Sequence, residues 1–301
     1  MVKISEIIEF LELEIINVFG EYENKYVKYL KPIELVDEFT LDWVSFNNQN
    51  KQQIVEQSKA KVIICDTTIL YSELLYSQNK ILIQVNNPKL TIALITEKFF
   101  ILKQELGIHP TAIIHPEAII GRNVYIGPYT CLGKCEIGDR TILLGNIFID
   151  NNVKIGTDVI IQAGVVIGNE GHNYIRDKNN YCIKFPHIGG VIIEDNVEIG
   201  GNTFISRGVL SNTVIKKGTK IAQLVYIGAN VQIGYHCAIR PNVMISGSVV
   251  IDDFVILAPS STIRDQRNIS KNVLIGMGSV VTKNVPSNEI WIGNPAKKIE
   301  K

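Results

Sequence analysis

A period of six governs more than half of this chain. Aliphatic residues fall at 108, 114, 120, 126 and 132, then, after a one-residue deletion, at 137, 143, 149, 155, 161 and 167. They resume at 193, 199 and 205, and run unbroken from Ile215 through Ile227 and Ile245 to Ile275 and Val281. A helix repeats every 3.6 residues or so and a strand every two, and neither explains a spacing of six sustained this long. A hexapeptide coil does: one short strand and one corner per hexapeptide, three to a triangular turn of eighteen residues, with the aliphatic side chain inward. Gly and Asn near the corners supply backbone angles that most side chains resist. The expected fold is mainly β, a parallel β-helix of hexapeptide repeats, and coils of this composition wind left-handed against the usual crossover rule.

Residues 1–104 lack that period. "SEIIEFLELEI" and "KLTIALITEKFFILKQ" have helical apolar spacing, "KVIICD" and "KILIQV" read as buried strands, and Asn87-Pro88 reads as the turn opening the second helix. The chain is expected to divide into a small α/β domain over 1–104, a β-helix over 105–286 and a tail over 287–301. Within the β-helix, "GNEGHNYIRDKNNYCIKFPHIGG" at 168–190 breaks the rhythm and must loop out, and a long loop on a rigid scaffold is a frequent seat of function. A formal charge of zero and the lack of any basic run give no ground for a nucleic-acid partner or an anionic membrane. The acid-interrupted N-terminus reads as neither a secretory signal nor a membrane span. Five scattered cysteines, with Cys131 and Cys135 lacking zinc-site spacing and histidine partners, read as reduced thiols of a cytoplasmic protein.

Residues eighteen apart stack, one coil per strand spacing of about 4.8 Å. Ala229, Gly247, Asp265 and Lys283 therefore form one column, whose three intervals span about 14 Å, enough for an extended pantetheine arm. Gly247 leaves its amide open as an oxyanion donor, and Lys283 is placed to meet the phosphates of a coenzyme A.

Several motifs then carry a family resemblance. "WVSFNNQNK" and "NNPKLTIA" in the first half, and "GNEGHNYIRDKNNYCIKFPHIGGVIIEDNVEIGGNTFISRGVLSNTVI" in the second, resemble the UDP-3-O-acylglucosamine N-acyltransferases of lipid A synthesis over most of the chain. By this likeness Phe46 stacks on a nucleotide base while Asn48 or Gln49 reads its edge; a core phenylalanine is the competing reading of Phe46. Departures are equally specific. The family's catalytic His, in an Ile-Ala-His-Asn corner, corresponds to Ala229; the Asp that orients it corresponds to Ala222, and a second family His to Gln266. Gly247, which corresponds to the family's thioester-oxygen donor, is kept. The ending "IGMGSVVTKNVPSNEIWIGNPAKKIEK" resembles acetyl-CoA-dependent hexapeptide transferases more than the helical, carrier-protein-binding ending of the lipid A enzymes.

Of the five histidines, His109 in "HPTA" and His115 in "HPEA" read as structural, and His187, beside Pro186, reads as a hinge. His172 in the long loop and His236 at a corner on the coil beside Ala229 are the candidate bases, with Asp265 a weaker one. The alternative is a sugar amine that arrives neutral, since a missing base forfeits about 10²- to 10⁴-fold, which good positioning can offset.

The leading expectation is an N-acyltransferase that moves an acyl group, foremost acetyl, from acyl-CoA to the amine of a dTDP- or UDP-linked amino sugar for cell-surface glycans. The alternatives are the lipid A reaction itself, with acyl carrier protein as donor, and a non-catalytic scaffold. No metal is expected, because His109, His115 and His236 lie too many coils apart to share one. Fold analogy implies a homotrimer with its sites between subunits.

Overall fold

Every sixth residue turns inward. A computed structural model of the protein describes residues 1–45, 47–102 and 105–299, and in it the aliphatic series from Ile126 to Val281 is buried as one continuous column of Ile, Leu and Val. The series deals itself onto three parallel faces. Ile126 pairs with Ile108 and Leu143 on the first, Leu132 with Ile114 and Ile149 on the second, and Ile137 with Ile120 and Ile155 on the third. Each later coil repeats the order, so the fold is a left-handed parallel β-helix whose strands are mostly two residues long.

The corners explain the rest of the hexapeptide. A chain that turns so tightly after two strand residues needs left-handed backbone, and positive φ recurs every six residues, most often on asparagine: Asn196, Asn202, Asn230, Asn242 and Asn272. Two residues before each inward aliphatic, small or β-branched side chains such as Val225, Val231, Cys237, Val243 and Ser261 complete the interior. Threonines at this position, Thr141, Thr203 and Thr219, serve the neighbouring coil. The buried Thr219 hydroxyl donates to the Gly234 carbonyl at 2.8 Å and accepts from the Cys237 N–H at 3.1 Å.

Residues 287–299 of the stretch set apart above as a tail are not separate from the solenoid. Ile290–Ile292 pairs in parallel with the last strand of the first face, Leu274 opposite Ile290 and Ile275 opposite Trp291, and then folds back on Lys297–Lys298. Trp291 packs against the end of the aliphatic column, and such a cover is what an open end of stacked coils requires.

The chain divides into two compact units, Met1–Lys103 and Gln104–Lys301. The first is built on a four-stranded sheet with strands β1 (Ile15–Phe19), β2 (Leu41–Trp43), β3 (Val62–Cys65) and β4 (Ile81–Val85) in the order β1-β4-β3-β2. Only β1 runs antiparallel. Alternation along β3 and β4 sends Ile64, Ile81 and Ile83 to one core and Ile63, Cys65 and Leu82 to another, so both faces of the sheet are covered. The helices are α1 (Ile4–Phe10), α2 (Lys51–Gln57), α3 (Glu73–Ser77) and α4 (Pro88–Ile95). The helix read over "SEIIEFLELEI" stops at Phe10, and the stretch Ile15-Ile16-Asn17-Val18, with three β-branched residues, goes to the sheet instead. Asn87 caps α4 by accepting the Leu90 N–H at 3.1 Å, with Pro88 in the first turn. All five cysteines are unpaired. Among the described residues no helix is long and apolar enough to cross a membrane.

Candidate functional site

Both insertions in the six-residue rhythm fall on one edge of the solenoid. The loop at 168–190 leaves after Ile167 on the second face and returns at Val191 on the third. One coil higher, the extra residues between Ile205 and Ile215 occupy the same second-to-third edge. Directly above stand Ala229, Gly247, Asp265 and Lys283, because Ile227 pairs with Ile245, Ile245 with Ile263 and Ile263 with Val281. Backbone bonds join the column: the Ser248 N–H donates to the Ala229 carbonyl at 2.9 Å, and the Gln266 N–H to the Gly247 carbonyl at 3.0 Å. Ala229 and Gly247 are half-buried, while Asp265 and Lys283 are exposed. A bare β-helix edge has few walls, and two insertions beneath one column supply them.

The corner amides of this column are open. At several corners of the third-to-first edge, by contrast, the N–H two residues past the inward aliphatic is capped by a side chain from the same position one coil on. Asp139 caps Arg122 at 2.8 Å, Asp195 caps Thr157 at 2.8 Å, and Asp253 caps Tyr235 at 2.9 Å. One coil on from Ala229 is Gly247, which has no side chain to offer, and one coil on from Gly247 the Asp265 carboxylate turns toward Arg264, 3.6 Å away. Among the described residues no acceptor meets the Ala229 or the Gly247 N–H. A Cβ at Gly247 would stand 3.3 Å from the Ala229 carbonyl and one at Gly228 2.7 Å from the Gly247 nitrogen, so the two glycines leave that nitrogen uncrowded. Free amides at a half-buried edge can hold a carbonyl oxygen and the charge that develops on it.

Arg207 and Asn230, neither singled out by the sequence, build the wall below. The Arg207 guanidinium donates to the Gly168 and Asn151 carbonyls and lies 3.4 Å from Asp150, tying the start of the loop to the coil beneath. The Asn230 side-chain oxygen Oδ1 accepts the Val209 N–H at 2.8 Å and the Ser211 hydroxyl at 3.3 Å. The only hint of Arg207's place is that it follows Ile205 by two, as Ala229 follows Ile227; the insertion hides the stacking because it spoils the count of eighteen.

The histidines separate. His236 lies at the third-to-first edge, across the whole third face from Gly247, and not beside the column. There it takes φ 51°, lies over Gly218, where a Cβ would come 2.4 Å from its ring, and stacks on Phe254 at 5.9 Å between ring centres. His172 is exposed in the loop rooted at the column's edge, its ring 4.8 Å from that of Tyr174. His187, read as a hinge, is instead buried at the loop's root, where desolvation holds its imidazole below the ordinary value. His109 and His115 accept backbone N–H groups two residues on, at 3.3 and 3.1 Å. Among the described residues no three His, Cys, Asp or Glu side chains gather as a metal site.

In the first unit the carboxyl ends of β2, β3 and β4 are the usual ligand side of a parallel sheet. Asn48 and Gln49 follow β2 and are exposed there; Phe46 lies outside the described residues. Asp66, at the end of β3, pairs with Lys51 at 2.6 Å and accepts from Thr68. Burial alone would raise the Asp66 carboxyl, but the Lys51 and Thr68 donors outweigh it and hold the group below its ordinary range. This pair ties α2, and with it the turn carrying Asn48 and Gln49, to the sheet.

The chain is 35% identical over 262 residues to the UDP-3-O-acylglucosamine N-acyltransferase of Coxiella burnetii, covering 79% of this chain and 74% of that enzyme. The enzyme of the same name from Methylorubrum populi is 38% identical over 145 residues, which is 48% of this chain but only 41% of the relative's length. Solved UDP-N-acetylglucosamine acyltransferases share the fold: that of Francisella novicida superposes with a TM-score of 0.58 at 26% identity over 64% of this chain and 68% of its own. That of Bacteroides fragilis gives 0.58 at 27% identity over 64% and 74%. No protein-family model matches the chain. With the solenoid, its one walled edge and the extended match to the Coxiella enzyme taken together, the chain belongs to the UDP-3-O-acylglucosamine N-acyltransferase family of left-handed β-helix acyltransferases.

Proposed function

We propose that the protein transfers an acyl group from a thioester to the amine of a nucleotide-linked amino sugar, with a UDP-glucosamine derivative as acceptor. The observation that carries the reading is the pair of unengaged amides at Ala229 and Gly247 on the edge where both insertions gather. The acceptor amine attacks the thioester carbonyl carbon; the C–N bond forms, negative charge moves to the oxygen facing the Gly247 N–H, and the C–S bond then breaks. The thiol leaves with the proton that the amine gives up. The donor's arm runs up the column past Asp265 toward Lys283, and Asn48 and Gln49 hold the nucleotide. The names of the relatives support a UDP-3-O-acylglucosamine acceptor over a dTDP sugar. They thereby favour the lipid A reaction, with the carrier-protein donor that the resemblance implies, over acetyl transfer from coenzyme A. The reading carries with it a homotrimer in a bacterial cytoplasm.

Thiol release from purified protein tests it, with acyl carrier protein thioesters and acyl-CoA offered against UDP-glucosamine, UDP-3-O-acylglucosamine and dTDP amino sugars. Turnover with UDP-linked acceptors is the expected outcome, and silence with every pair leaves only a scaffold. Gly247→Ala keeps the N–H but crowds it, and kcat should fall toward the 10²-fold or so that a lost oxyanion donor costs. His236→Ala should leave kcat within about twofold, since that ring stands across a face from the reacting atoms. His172→Ala decides whether a side-chain base operates: a loss of about 10²-fold or more identifies one, and retention leaves the amine arriving neutral.

A further inference from the structure

Two buried polar atoms at the loop's root have no hydrogen-bond partner among the described residues: His187 Nε2 and Ser206 Oγ. His187 is 4% exposed and Ser206 0%, and polar groups so deeply buried are rarely left unpaired without a reason. His187 Nδ1 lies 3.1 Å from the Phe185 carbonyl. A carbonyl can only accept, so Nδ1 carries the proton and Nε2 is left as a bare acceptor. The desolvation that favours the neutral ring agrees with this assignment. The Ser206 hydroxyl is free to donate. Both face Gly171, where a Cβ would stand 3.3 Å from Ser206 Oγ and 3.6 Å from His187 Nε2. Gly171 covers them with backbone alone, and a side chain there would fill the space that they face. An acceptor and a donor converging on one point match a group that both gives and takes a hydrogen bond, which is what a hydroxyl does.

Height along the solenoid decides what the pair can do. Ser206 follows Ile205, which lies two coils below Ile245, and Gly247 follows Ile245. Two coil spacings are about 10 Å. An amine attacking a carbonyl held by the Gly247 N–H stays within about 5 Å of that amide, so His187 is too far away to be its base. A hydroxyl on another part of the same acceptor is not.

We propose that His187 and Ser206 form a hydroxyl-recognising subsite for the acceptor sugar, covered by the backbone at Gly171 and lying on the column's own edge. The ligand's chemical class rests on the aminosugar reading above; the subsite itself rests on the two orphaned atoms. Recognition of this kind acts on acceptor choice, because a sugar lacking the hydroxyl leaves both atoms unpaired.

Calorimetric titration of the full chain with UDP-glucosamine and with UDP provides the test, on the natural protein, Ser206→Ala and His187→Ala. The natural protein should bind UDP-glucosamine more tightly than UDP. Each variant should lose about tenfold of that advantage while its affinity for UDP stays put. In turnover, acceptor KM should rise with donor KM unmoved. Ser206→Ala removes one oxygen and keeps the loop's packing, so it stands if His187→Ala loosens the fold. An unchanged UDP-glucosamine to UDP ratio in Ser206→Ala would mean that an ordered water fills the niche, and would overturn the subsite alone. Failure of the natural protein to bind either ligand would overturn the nucleotide-sugar reading and the subsite with it.

Discussion

At a corner where φ must be positive, the identity of one residue sets a local energy. Asparagine tolerates that backbone, but Leu224 takes φ 60° with its side chain 59% exposed, so it gains little from burial in return. An L-residue with a Cβ loses about 1–2 kcal/mol in this conformation. Leu224→Asn should recover about 1 kcal/mol and raise the solenoid's unfolding temperature by about 2–4 °C; no rise in a thermal melt would mean the corner is already relaxed. Gly218 is the converse. It has φ 76°, and the His236 ring lies where its Cβ would be, so any side chain there is strained twice. His236 also shows how much of the site was legible in the chain. The arithmetic of eighteen that aligns Ala229 with Gly247, Asp265 and Lys283 assigns His236 to another edge, since 236 differs from 229 by seven and no multiple of eighteen relates them. The column was readable; His187 was not, because a residue inside a loop has no periodic position and its burial depends on how the loop folds back.

Elements fail at their ends, and two ends here depend on buried polar groups. Lys80, 2% exposed, turns its ammonium into the C-terminus of α2 and donates to the Val55, Glu56 and Ser58 carbonyls. A cation among the free carbonyls of a helix end is well placed, although burial lowers its pKa. Lys80→Met strips three acceptors of their donor inside the unit, and a loss of about 1.5–3 kcal/mol is expected in urea unfolding. The sequence gives no warning of this, since a lysine before a buried strand reads as a solvated boundary residue. The loop at 168–190 depends on His187 in a different way. Desolvation lowers the pKa of its ring, opposed by the Phe185 carbonyl and aided by the Lys184 and Arg207 cations, while Glu170 pairs with Lys184 at the same root. Between that lowered value and the ordinary 6.5, the unfolded chain holds a proton that the folded chain does not. Stability is therefore level above this window and falls as the pH drops through it. Amide hydrogens across 174–184 should exchange faster relative to the core at pH 5.5 than at 7.5, and His187→Gln should remove the difference. Equal pH sensitivity in that variant would assign the effect to another group.

Over the whole solenoid, each coil touches only the coils above and below, so stability is closer to a sum along an axis than to a property of one centre. Burial follows that axis. Ile205, mid-stack, is fully buried, whereas Ile108 in the first coil is 53% exposed and Ile114 is only half-buried. At the far end Trp291 closes the column, and its indole N–H donates to Glu289 at 2.7 Å. The six-residue period marks all of these aliphatic positions alike, because periodicity records direction and not depth; neighbours on both sides decide how much water each one loses. Ile205→Ala should cost about 2–5 kcal/mol, the range for a large aliphatic removed from a packed interior, and Ile114→Ala less than half as much. Trp291 fluorescence reports both from the opposite end of the stack, with Trp43→Phe removing the chain's other indole. If the coils unfold as one cooperative body, the Ile205 variant shifts the Trp291 transition well below that of the Ile114 variant. Equal shifts would mean that the first coil is as well packed as the middle. A Trp291 signal unmoved by either substitution would mean that the last coils melt on their own.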